Sequence, residues 1–121
     1  MLDHLASLGI PLAVGTSSRR NSALWKLQKA GIADRFTYIV GGDEVKNGKP
    51  APDIFLKAAE LLDVPVSSCV GFEDSPAGLM ALAAAGIASV FIKDVIEPPE
   101  EVLATVWRRF EDLALSIALF N

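Results

Sequence analysis

"VGFEDSPAGL", residues 70–79, runs an apolar segment into two adjacent acids, Glu73 and Asp74, and then into a Ser-Pro pair. Ser is a favoured N-cap and Pro a favoured first helical residue, so Ser75 and Pro76 mark where an extended segment gives way to a helix. Ala77, Gly78, Ala81, Ala84 and Ala85 are small enough to let that helix lie close on a sheet. A strand, acids at its carboxyl end and a small-residue helix together form one unit of an α/β fold.

The same junction recurs along the chain. "LGIPLAV" from Leu8, "AGIADRF" from Ala30 and "AGIASVF" from Ala85 each place Gly-Ile after a helical pattern. Gly is expected just past a helix end, where φ turns positive. The spacings are unequal, so this is a repeated helix-to-strand joint and not a solenoid. It predicts a helix through Leu2, Leu5 and Ala6 ending at Gly9, a strand "PLAVGT", and a second helix with Ala23, Leu24, Leu27 and Ala30 on its buried face. "TYIVGG" reads as a strand and "KNGKPAPD" as a loop. Pro52 opens a third helix, with Ile54, Phe55, Ala58, Leu61 and Leu62 turned inward. "SSCVGFE" and "SVFIK" are the last strands, and Pro98 and Pro99 precede a final amphipathic helix carrying Val102, Leu103, Val106, Trp107, Phe110, Leu113 and Ile117. Strands that are apolar on both faces and alternate with helices imply one α/β domain over residues 1–121, with a Rossmann-like parallel sheet of about four strands covered on each side.

The 121 residues, 51% of them apolar, are enough for one soluble domain with a real core. A net charge of −4 without a basic cluster gives no footprint for nucleic acid or an anionic membrane. No charge-free segment reaches the ~20 apolar residues of a membrane span, and no basic leader precedes an apolar run. The single cysteine, Cys69, lies in an apolar stretch and reads as a buried thiol in a reducing, cytoplasmic setting.

Ligands of open parallel sheets bind beyond the carboxyl ends of the strands. The residues there are Thr16, Ser17, Ser18 and Arg19 after the first strand, Lys49 after the second, and Glu73 and Asp74 after the third. Hydroxyls, loop N–H groups, a lysine and two acids can cradle a phosphate together with Mg²⁺, which prefers carboxylate and phosphate oxygens. Each has a plainer reading. The acids could merely favour the positive end of the next helix, Thr16 to Ser18 could be ordinary helix caps, and Lys49 and Arg19 could be solvated. His4 has no ligand-spaced partner, and Asp43 and Glu44 read as a solvated loop pair. What favours a site is that three separate segments converge on one edge of one sheet.

"LAVGTSSR", "GKPAPDIF" and "GFEDSPAGLMAL", in that order, resemble the second, third and fourth motifs of the haloacid dehalogenase superfamily of hydrolases. The likeness is to its phosphatases and phosphomutases of the phosphoglycolate phosphatase and beta-phosphoglucomutase type. The resemblance implies that Thr16 and the Ser17 N–H bind the transferring phosphoryl group of a small phosphorylated metabolite. It also implies that Lys49 neutralises charge, that Glu73 and Asp74 hold Mg²⁺, and that Ser18 and Arg19 reach the substrate beyond the phosphate. The superfamily's first motif, an Asp-x-Asp supplying nucleophile and general acid, occurs nowhere in this chain. The expectation is therefore a C-terminal core portion without the nucleophile strand or cap, inert by itself because covalent transfer needs a positioned nucleophile. The alternatives are a non-catalytic binding module or a phosphomutase portion. Lacking its middle strand, such a sheet would expose edges open to strand swapping or homo-oligomerisation, or to closure by the apolar stretch "LALSIALF".

Overall fold

The structure, a computed structural model, describes residues 9–91. Within them run β1 (Ala13–Gly15), α1 (Arg20–Lys29), β2 (Tyr38–Val40), α2 (Asp53–Leu62), β3 (Val70–Glu73), α3 (Pro76–Ala85) and β4 (Ala88–Phe91). The predicted helix before Gly9, His4, the helix after Pro99 and "LALSIALF" lie outside the described residues. No helix among the described residues is long and apolar enough to cross a membrane.

The strand-helix alternation is as expected, and both strand pairings are parallel: β1 with β2 (Val14 beside Ile39) and β3 with β4 (Phe72 beside Val90). The described strands do not form one continuous ladder, which fits the partial sheet without its middle strand that the sequence implies. Among the described residues the four strands form two separate two-stranded sheets, with no backbone ladder joining β1 to β3. Packing nevertheless makes them one layer. Leu12 and Val14 of the first pair share a cluster with Val70 and Phe72 of the second, closed by Ala23 and Leu27 of α1. On the other face Ala13 and Val40 pack with Ile54, Phe55 and Ala58 of α2 and with Ala81, Leu82 and Ala85 of α3. Successive strand residues thus feed opposite cores, as the two-residue strand period requires, and helices cover both faces.

The Gly-Ile joints behave as the sequence implies. Gly9, Gly31 and Gly86 all have positive φ, at 71°, 74° and 76°. After α1 and α3 the isoleucine N–H reaches back to the last turn, Ile32 to the Leu27 carbonyl and Ile87 to that of Leu82, each at 3.0 Å. This is the Schellman closure of a helix end. Helix α2 ends the same way without a glycine: Asp63 takes φ 57°, and the Val64 N–H bonds the Ala59 carbonyl at 3.2 Å.

Some facing assignments shift. Leu61 is 38% exposed while Ala59 is buried, because α2 presents 54, 55, 58 and 59 to the core. On α3 Ala77 and Ala84 face out, and Leu79 and Leu82 fill the core with Gly78, Ala81 and Ala85. Ala30 is exposed as the C-cap of α1. Cys69 is fully buried, as expected, its Sγ lying 3.4 Å from the Pro65 carbonyl.

Candidate active site

Glu73, the last residue of β3, is fully buried, an expensive place for a charge unless it is paired. Its Oε2 accepts a bond from Lys49 Nζ at 2.9 Å. Its Oε1 accepts from the Asp74 N–H at 3.0 Å, the Ser75 N–H at 3.3 Å and the Ser75 hydroxyl at 3.2 Å. The same Ser75 hydroxyl accepts the Gly78 N–H at 3.1 Å and so caps α3, as its Ser-Pro sequence predicts. A Cβ at position 78 would fall on the Glu73 carboxylate, so this glycine makes room for the acid.

Lys49 ties the two strand pairs together. Its side chain is 2% exposed, and Nζ also donates to the Gly15 carbonyl at 3.2 Å, at the end of β1. One ammonium thus spans the carboxyl ends of β1 and β3, immediately before Thr16 on one side and Asp74 on the other. The ammonium also stands 4.9 Å from the Phe55 ring centre, an apolar wall that screens it from water.

Thr16 is also buried, at 2% exposure, and its Oγ1 accepts the Ser18 N–H at 3.1 Å, which leaves its O–H as a donor. Ser17 and Arg19 are exposed and Ser18 is half-buried. The plain helix-cap reading of Thr16 to Ser18 fails, since none of their hydroxyls caps α1. The Arg20 N–H is taken instead by Asp43 Oδ1 at 2.9 Å, from the loop after β2. Asp43 and Glu44 are thus more than a solvated pair: Glu44 Oε1 accepts the Gly41 N–H at 3.0 Å and lies 3.8 Å from Arg20 Nε. The "GGDE" turn was the available signal, but nothing local shows which distant amide its acid meets.

Lys49 thus meets Glu73 directly, and Thr16 and Asp74 each follow in sequence a residue that the ammonium touches. Glu73 is committed to four protein donors, and half-buried Asp74 follows it at the rim. Carboxylate oxygens at this rim suit a hard divalent cation. Among the described residues, however, no group of three or more His, Cys, Asp or Glu side chains could hold one, so further ligands would have to come from phosphate, water or elsewhere. A half-open recess of about 280 Å³ lies between β1 and α1, walled by Val14, Ala23, Leu27 and Ile32 and touched by Thr16 and Ser18. Lys49 and the acids do not line it.

A family model described as haloacid dehalogenase-like hydrolase matches residues 1–86, and the chain belongs to that family. It is 40% identical over 90 residues to a phosphorylated carbohydrates phosphatase of Thermotoga maritima, covering 74% of this chain and 42% of the relative. It is 43% identical over 86 residues to a phosphoglycolate phosphatase of Neisseria meningitidis, covering 71% of this chain and 37% of the relative. The crystal structure of a beta-phosphoglucomutase from Clostridium difficile superposes with a TM-score of 0.75 at 29% identity, over 99% of this chain and 46% of the mutase. The chain thus spans less than half the length of each of these proteins.

Proposed function

We propose that the chain provides the phosphoryl-binding and charge-neutralising part of a Mg²⁺-dependent phosphatase acting on a small phosphorylated metabolite. The observation that carries this reading is the position of Lys49 Nζ, 3.2 Å from the carbonyl before Thr16 and 2.9 Å from the acid before Asp74. In this role the Thr16 hydroxyl and the Ser17 N–H receive phosphoryl oxygens, Lys49 offsets their charge, and Ser18 and Arg19 face the remainder of the substrate. Asp74, with Glu73 behind it, contributes to holding Mg²⁺. When bound, that ion neutralises charge developing on the transferring group. No Asp-x-Asp occurs in the chain, so the reading assigns the nucleophile to a segment outside it and makes the chain as it stands a binder without turnover.

Titration of the chain with inorganic phosphate tests binding, with Thr16→Val as the variant that loses it. An aryl phosphate supplied with Mg²⁺ tests turnover. Hydrolysis above background that disappears in Asp74→Asn would overturn the claim of inertness. A second reading, a non-catalytic interaction module, is favoured by one observation: among the described residues β1 and β3 are each paired along one edge only. Self-association through those edges, seen by sedimentation and abolished by a proline in β1, would support it.

A further inference from the structure

We infer that Asp43 is a positioning residue for the loop Thr16–Arg19, an inference that rests on reading that loop as the phosphoryl-binding one. The loop is held at alternate residues by a single segment. The Thr16 N–H bonds the Val40 carbonyl at 3.0 Å, the Ser18 carbonyl accepts the Gly42 N–H at 2.8 Å, and the Arg20 N–H bonds Asp43 Oδ1 at 2.9 Å. Within the loop, the residues between these anchors, Ser17 and Arg19, are exposed while Thr16 is buried and Ser18 half-buried; Arg20, the first residue of α1, is exposed as well. A template gripping every second residue turns the intervening ones outward, which is the orientation a ligand needs.

The grip is backbone against backbone. A Cβ at Gly41 would meet the Arg20 backbone, and one at Gly42 would meet the Ser17 carbonyl. The turn is itself braced, because Glu44 Oε1 accepts the Gly41 N–H at 3.0 Å and the Glu44 carbonyl accepts from Lys57 Nζ of α2 at 3.3 Å. Five residues beyond Glu44 the same segment delivers Lys49. One stretch of chain therefore sets both the shape of the hydroxyl loop and the approach of the ammonium.

Asp43 also decides where an anion binds. A helix start ordinarily offers its first amides to a phosphate, but here the Arg20 amide is already taken by a carboxylate. A phosphate is directed instead to the Thr16 hydroxyl and the Ser17 amide, one turn earlier.

Inorganic phosphate titrated into the full chain, followed by amide NMR, tests this together with hydrogen exchange at Arg20. Asp43→Ala is expected to weaken phosphate binding about five- to ten-fold, the equivalent of a lost cap, and to speed Arg20 exchange. Asp43→Asn keeps an acceptor oxygen and is expected to restore both, although it lacks the charge. Asp43→Glu keeps the charge, displaces the acceptor and is expected to weaken binding, which serves should the alanine variant not fold. If the carboxylate acted only through its charge, removing it would tighten phosphate binding in both the Ala and Asn variants, and that result overturns the inference. So does wild-type binding in Asp43→Ala with unchanged Arg20 exchange. A wild-type chain that binds no phosphate overturns the phosphoryl-loop reading itself, and the inference with it.

Discussion

Substituting Gly78 by alanine sets two physical effects of opposite sign against each other. Position 78 lies in the first turn of α3, where alanine is favoured over glycine by about 1 kcal/mol on helix propensity alone. The added Cβ, however, would land on the Glu73 carboxyl group. A flexible acid would swing aside, but this one is anchored by Lys49 Nζ at 2.9 Å, the Asp74 and Ser75 amides and the Ser75 hydroxyl. Forcing extra volume into a packed site costs about 1–3 kcal/mol. If the carboxylate leaves Lys49, whose side chain is 2% exposed, the broken buried pair costs about 3–5 kcal/mol. After the propensity gain, the net expectation is a loss of roughly 2–4 kcal/mol, or about 10 °C or more in Tm for a chain of this size. Urea unfolding followed by far-UV circular dichroism reads the change directly. Ala84→Gly, on the exposed side of the same helix, calibrates propensity at a loss of about 1 kcal/mol. A Gly78→Ala chain as stable as wild type, or more so, would refute the packing of Glu73 against this turn.

Glu73→Gln leaves the Lys49 ammonium buried without its counter-charge and is expected to cost about 3–5 kcal/mol. Adding Lys49→Met should recover more than half of that loss in the same urea assay, and strict additivity would show that the pair is not coupled. Cys69 is fully buried and should resist an aromatic disulfide reagent in the native chain while reacting at once in denaturant. Prompt native labelling would contradict its placement under the α2–β3 connection.

What sequence by itself determined here is local. The Gly-Ile pairs at 31 and 86 announced helix ends, and Gly9 shares their positive φ, because positive φ is a steric property of one residue. Ser75-Pro76 announced a helix start because a cap is closed within three residues. Thr16, Lys49 and Glu73-Asp74 were legible as site candidates because strand ends in an α/β chain share one rim. Asp63 escaped, since an aspartate in left-handed backbone gives no sign of it beyond its tolerance for turns. Tertiary structure alone decided the rest: that Lys49 serves Glu73 as well as the rim, that Asp43 and not a neighbouring hydroxyl caps α1, and that Gly78 is small for an acid's sake. Those facts depend on distances between residues more than 20 positions apart, or on a side chain's final rotamer. Such distances are set by how whole faces pack, which no short window of sequence contains.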